Sequence, residues 1–117
     1  MGMYHSTYFA YGVHVPPIEG KYAWAEAEHV EAELPQHKEQ SPDVGYLTAG
    51  DYDEDFLFLT TECTEVDLGQ WEHVTPQSHT PERLADWDRQ LAAAVEALGY
   101  SDRDVSAPGW LCIPDLS

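Results

Sequence analysis

Residues 44–68, VGYLTAGDYDEDFLFLTTECTEVDL, restrict the fold more than any other part of the chain. Two apolar runs, 45–49 and 56–61, flank the insert Gly50-Asp51-Tyr52-Asp53-Glu54-Asp55. Glycine and aspartate take up turn angles at little cost. Apolar runs on either side of such residues predict a β-hairpin. Phe56-Leu57-Phe58-Leu59 is apolar at every position, as expected of a strand covered on both faces. The same stretch carries seven carboxylates: Asp51, Asp53, Glu54, Asp55, Glu62, Glu65 and Asp67. It is expected to hold both the sheet centre and the densest charge.

The remaining elements follow in order. Residues 3–15 are rich in Tyr, Phe, Val and Thr and predict a strand. One of its faces, His5, Thr7, Phe9, Tyr11, Val13 and Val15, is the bulkier and is assigned to the main core. Pro16-Pro17 stops the strand. Ala23, Ala27, Val30 and Leu34 recur on one helical face and predict a helix over 19–34, closed by Pro35. A polar linker over 36–43 leads to the hairpin. Thr80-Pro81-Glu82 is a strong helix start: an N-cap, a proline at the first helical position and an acid in the first turn. Leu84, Trp87, Leu91, Val95 and Leu98 continue that helix, with Gly99 as its C-cap. Residues 109–113 form a last strand, ended by Pro114.

The order β-α-β-β-α-β predicts one α+β domain of ferredoxin-like, split βαβ arrangement. It has a four-stranded antiparallel sheet with two helices on one face. The first and third strands lie at its centre, and they are the most apolar. The opposite face is expected to be open or buried in a homodimer.

Charge limits the partners. The chain has 22 acidic and 5 basic residues, a net charge of −17. Direct nucleic-acid binding and docking on anionic membranes both rely on Lys and Arg, so neither is expected. No apolar run reaches the ~20 residues of a membrane span. No basic region followed by an apolar run opens the chain, so a cytoplasmic location is expected. Cys63 and Cys112 form no CxxC pair and are expected as buried free thiols.

Motifs for chemistry are few. Asp51, Asp53, Asp55 and Glu62 match positions 1, 3, 5 and 12 of a calcium loop. Phe56, however, stands where that loop needs glycine. The six histidines show no metal-ligand spacing, and no phosphate loop or GxSxG is present. No catalytic residue, metal or cofactor is therefore expected.

Three functions fit. The first is a binding or inhibitor module that docks a basic protein surface, presenting carboxylates where a nucleic acid presents phosphates. Its contacts would be the seven carboxylates; Tyr4, Tyr8, Phe56, Phe58 and Trp110 form a separate candidate contact set on the sheet face. The second is a small-ligand-binding or enzymatic domain, dimerising through its sheet face. Its pocket would be lined by Tyr8, Tyr11, His14, Trp24, Trp87 and Trp110. The third is an assembly subunit that buries the aromatic face.

Overall fold

The computed structural model describes residues 5–18, 20, 22–50, 55–74 and 79–116. They form β1 (His5–Val15), α1 (Ala23–Glu33), β2 (Gly45–Gly50), β3 (Asp55–Asp67), α2 (Pro81–Ala97) and β4 (Gly109–Leu116). A 3-10 turn, Leu34–His37, follows α1 directly. The result is a small α+β domain with a four-stranded antiparallel sheet ordered β2-β3-β1-β4.

One core joins both helices to the same sheet face. Tyr11, Val13 and Val15 of β1 and Leu57 and Leu59 of β3 pack with Val30, Leu34, Trp87, Leu91 and Ala94. Strand alternation explains the choice, since these β1 residues are the bulkier set. On α2, Thr80 accepts a hydrogen bond from the Arg83 N–H, and Gly99 closes the helix at φ +81°. The helix α1 starts later than its pattern predicts, at Ala23 rather than residue 19. Gly20 has φ +84°, which an α-helix does not contain. The last strand runs past Pro114 to Leu116. The strand β4 lies at the sheet edge, where a residue without an N–H is tolerated.

The sheet is folded over its helix-free face, so that face is not a flat open surface. The edge strand β2 pairs with residues 55–60 of β3, and β4 pairs with residues 5–12 of β1. The two edge strands thus flank opposite ends of the β1–β3 ribbon. From Ser6 to Val15 a straight strand runs roughly 30 Å. Gly50 lies beyond the Val15 end and Asp115 opposite Ser6, yet the Gly50 N–H donates to Asp115 Oδ1 at 3.0 Å. The ribbon bends where Tyr11 pairs with Glu62 but Gly12 pairs with Thr60, leaving Thr61 as the extra residue of a β-bulge. Gly12 makes the bend possible: a Cβ there would lie 2.1 Å from the Leu59 carbonyl oxygen. Inside the fold, Ala49, Phe58 and Ile113 form a second small core with Tyr8, Leu47 and Leu111.

Candidate functional site

Bending the ribbon creates a groove of about 750 Å³. Gly50, Phe56 and Phe58 line one side. Ser6, Leu111, Ile113 and Asp115 line the other, and Asp67 and Leu68 lie at one end. The walls are mainly apolar. Phe56 is 40% and Leu68 78% exposed, and Trp71, three residues further on, is 83% exposed. Exposed apolar side chains in and near a groove make it a candidate contact surface.

Carboxylates gather at its rim. Asp115 and Asp67 both pair with Ser6, one from each neighbouring strand, and so flank it on one face. Asp55, opposite Gly50, is not among the groove's lining residues, because alternation puts it in step with Leu57; its carboxyl is held above the usual carboxylate range by desolvation and then by the charge of Asp115. Glu65 pairs with Tyr8 on the same face and accepts a hydrogen bond from its hydroxyl at 3.3 Å.

Of the expected contact residues, Tyr8, Phe56, Phe58, Glu65 and Asp67 all belong to the inward-folded face. Tyr4, Asp51, Asp53 and Glu54 lie outside the described residues. Trp110 must be reassigned. It pairs with Tyr11, so alternation sends it to the helix side. There it stacks on Phe9 at 5.4 Å and meets Tyr11 edge-on at 5.1 Å.

Glu62 leaves the acidic group for the same reason. The bulge turns it to the helix side, where His79 Nε2 lies 2.9 Å from its Oε2. The His79 ring packs against Trp87 at 5.0 Å and Trp110 at 5.7 Å. Nearby, the Tyr11 hydroxyl donates to Asp88 Oδ1 at 2.5 Å. Desolvation, and then Asp88, push the Tyr11 phenol up to about 12. This packed cluster ties His79, just before α2, to the sheet. His79 and Asp88 carry no sequence signal for it, because each is isolated in the chain.

The residues expected to form one ligand pocket are dispersed. Tyr11, Trp87 and Trp110 belong to the helix-side core. Tyr8 and His14 face the other way, with the His14 ring against Phe56 and Phe58. Trp24 is on the surface.

The cysteines are free, as expected, but exposed rather than buried. Cys63 pairs with Ala10 and Cys112 with Phe9, which puts their side chains on opposite faces of the sheet. Desolvation, and then Glu65, raise the Cys63 thiol above its ordinary value. Among the described residues, no group of three or more His, Cys, Asp or Glu side chains is placed to hold a metal. None of the helices described is long and apolar enough to cross a membrane. In comparisons with known proteins, no family model, curated protein or solved structure matches the chain.

Proposed function

We propose that the chain is a small ferredoxin-like binding module that docks a basic, amphipathic segment of another protein in its folded sheet. The element order, the strand order β2-β3-β1-β4 and the shared helix face support the fold assignment. The observation that carries the functional reading is one groove with apolar walls and an acidic rim. Apolar side chains of a partner would bury against Phe56, Leu68 and Leu111. Its Lys or Arg side chains would meet Asp67 and Asp115. The net charge of −17 would speed the encounter of such a partner. Dimerisation through a flat sheet face is less well supported, because the sheet folds over that face and β2 meets β4.

A short peptide alternating Lys with Leu tests this against a Lys–Ser and a Glu–Leu counterpart. The Lys–Leu peptide should bind tightest and weaken steeply with salt. Leu68→Ser, at an exposed site, and Asp115→Asn, which keeps the oxygen bonded to Gly50, should each weaken binding. Equal affinity for the Lys–Leu and Lys–Ser peptides, or no effect of either variant, would rule the groove out.

A further inference from the structure

A second cavity, independent of the groove, lies between the start of α1 and the end of α2. Its volume is about 480 Å³, and Tyr22, Trp24, Glu26, His29, Tyr100 and Arg103 are among its lining residues. The floor is charged and fixed. Arg103 binds Glu26 Oε1 at 2.6 Å, with the two side chains only 10% and 7% exposed. The Arg103 guanidinium also donates to the Pro16 carbonyl at 3.3 Å and lies 4.5 Å from the Tyr100 ring centre. A buried ion pair is weak evidence for stability, because desolvation offsets the attraction. Placing one of only 5 cationic residues here therefore calls for another reason.

The mouth is aromatic. Tyr22 and Trp24 are 67% and 66% exposed. Their rings lie within 9° of parallel, with centres 6.3 Å apart. A planar ring laid on this pair would bury apolar surface that is now wet. The polar groups narrow the ligand further. His29 Nε2 lies 3.1 Å from the Leu98 carbonyl, which only accepts, so Nε2 carries the proton. The nitrogen left over, Nδ1, is an acceptor in the neutral ring. Glu26 balances the charge of Arg103, so the cavity offers an anionic ligand no net positive charge. The negative end of α2, where Leu98, Gly99 and Tyr100 line the cavity, favours a ligand with N–H groups.

From this geometry we infer a binding site for a small planar aromatic ligand, neutral or cationic and bearing N–H donors, stacked on Tyr22 and Trp24. The test uses benzamidine, indole, adenosine, adenosine monophosphate and benzoate as probes. Binding is followed through the indole N–H signals of the four tryptophans by NMR. Benzamidine should bind tightest, then the neutral rings, with both anions weakest. The Trp24 signal should move while that of buried Trp87 stays still. Trp24→Ala and Tyr22→Ala change exposed side chains, so the fold should persist, and each should weaken binding about tenfold. The inference is overturned if no probe shifts Trp24, if the anions bind as well as benzamidine, or if both variants bind like the parent. Asp115→Asn, in the groove, should leave this site unchanged, which separates it from the groove reading.

Discussion

At the scale of single residues, the shape of the molecule turns on Gly12 and Thr61. The extra residue Thr61 shifts the alternation of β3 by one position. Continued from Leu59 without the bulge, strict alternation would place Cys63, Glu65 and Asp67 under the helices and turn Glu62 away from them. With it, the reverse holds. Gly12 faces the bulge so closely that a methyl group would meet backbone rather than a movable side chain. Gly12→Ala should therefore cost about 2–3 kcal/mol, measured by urea unfolding. The same substitution at Gly109, where nothing crowds the site, should cost far less. Tyr11 offers a second readout. Its phenol ionises near 12 in the folded chain, above the ordinary value of 10.0. The folded state thus holds this proton more tightly, and the stability it contributes is present below pH 10 and lost as pH rises toward 12. Burial also raises Tyr8, Tyr46 and Tyr100, so ultraviolet titration of Tyr11→Phe should lose only the step at highest pH. Alkaline unfolding should become shallower in that variant.

At the scale of elements, legibility followed the regularity of the pattern. The helix α2 was readable almost to its ends, because capping chemistry and apolar spacing agree there. Central placement of β1 and β3 followed from their apolar content, and the odd-numbered face of β1 does form the helix-side core. What could not be read was every consequence of the bulge. Two threonines in succession do not reveal which one drops out of register, so the reach of Glu62 to His79 and the fold of the ribbon stayed hidden. The partner of Trp110 depended on strand register, which pairing fixes and composition does not. The groove was half readable: its aromatic and acidic residues were named, but as separate surfaces. Deleting Thr61 tests the link between bulge and groove. It should straighten the ribbon, break the contact of Gly50 with Asp115 and abolish binding of the Lys–Leu peptide. The signal of α2 in circular dichroism should remain. If peptide binding survives the deletion, the bent ribbon is not what forms the site.

For the molecule as a whole, the decisive quantity is the imbalance of 22 acids to 5 bases. The described cations are already engaged. Arg103 binds Glu26, Arg89 binds Asp86, Arg83 approaches Asp43 at 4.0 Å, and Lys38 donates to the Val44 carbonyl. The acids far outnumber these cations, and the repulsion between carboxylates weakens the folded state. Raising salt shortens the screening length from about 8 Å at 0.15 M to about 3 Å at 1 M, so the melting temperature should climb over that range. Screening has to be separated from a general strengthening of apolar burial, and Asp55 allows this. Its carboxyl is raised in the folded chain, first by desolvation and second by Asp115. The folded state therefore binds this proton more tightly than the unfolded state does. Asp55 lowers stability as pH rises from the unfolded value of 3.8 through its raised folded value, and the loss persists at pH 7. Asp55→Asn should raise the melting temperature at pH 7 and have little effect below pH 3, where both states are protonated. At 1 M salt the gain should shrink without vanishing, because salt screens Asp115 but does not rehydrate the buried part of the carboxyl. A gain unchanged by salt would assign the whole effect to desolvation. A melting temperature of the parent indifferent to salt would show that the surplus charge does not strain the fold.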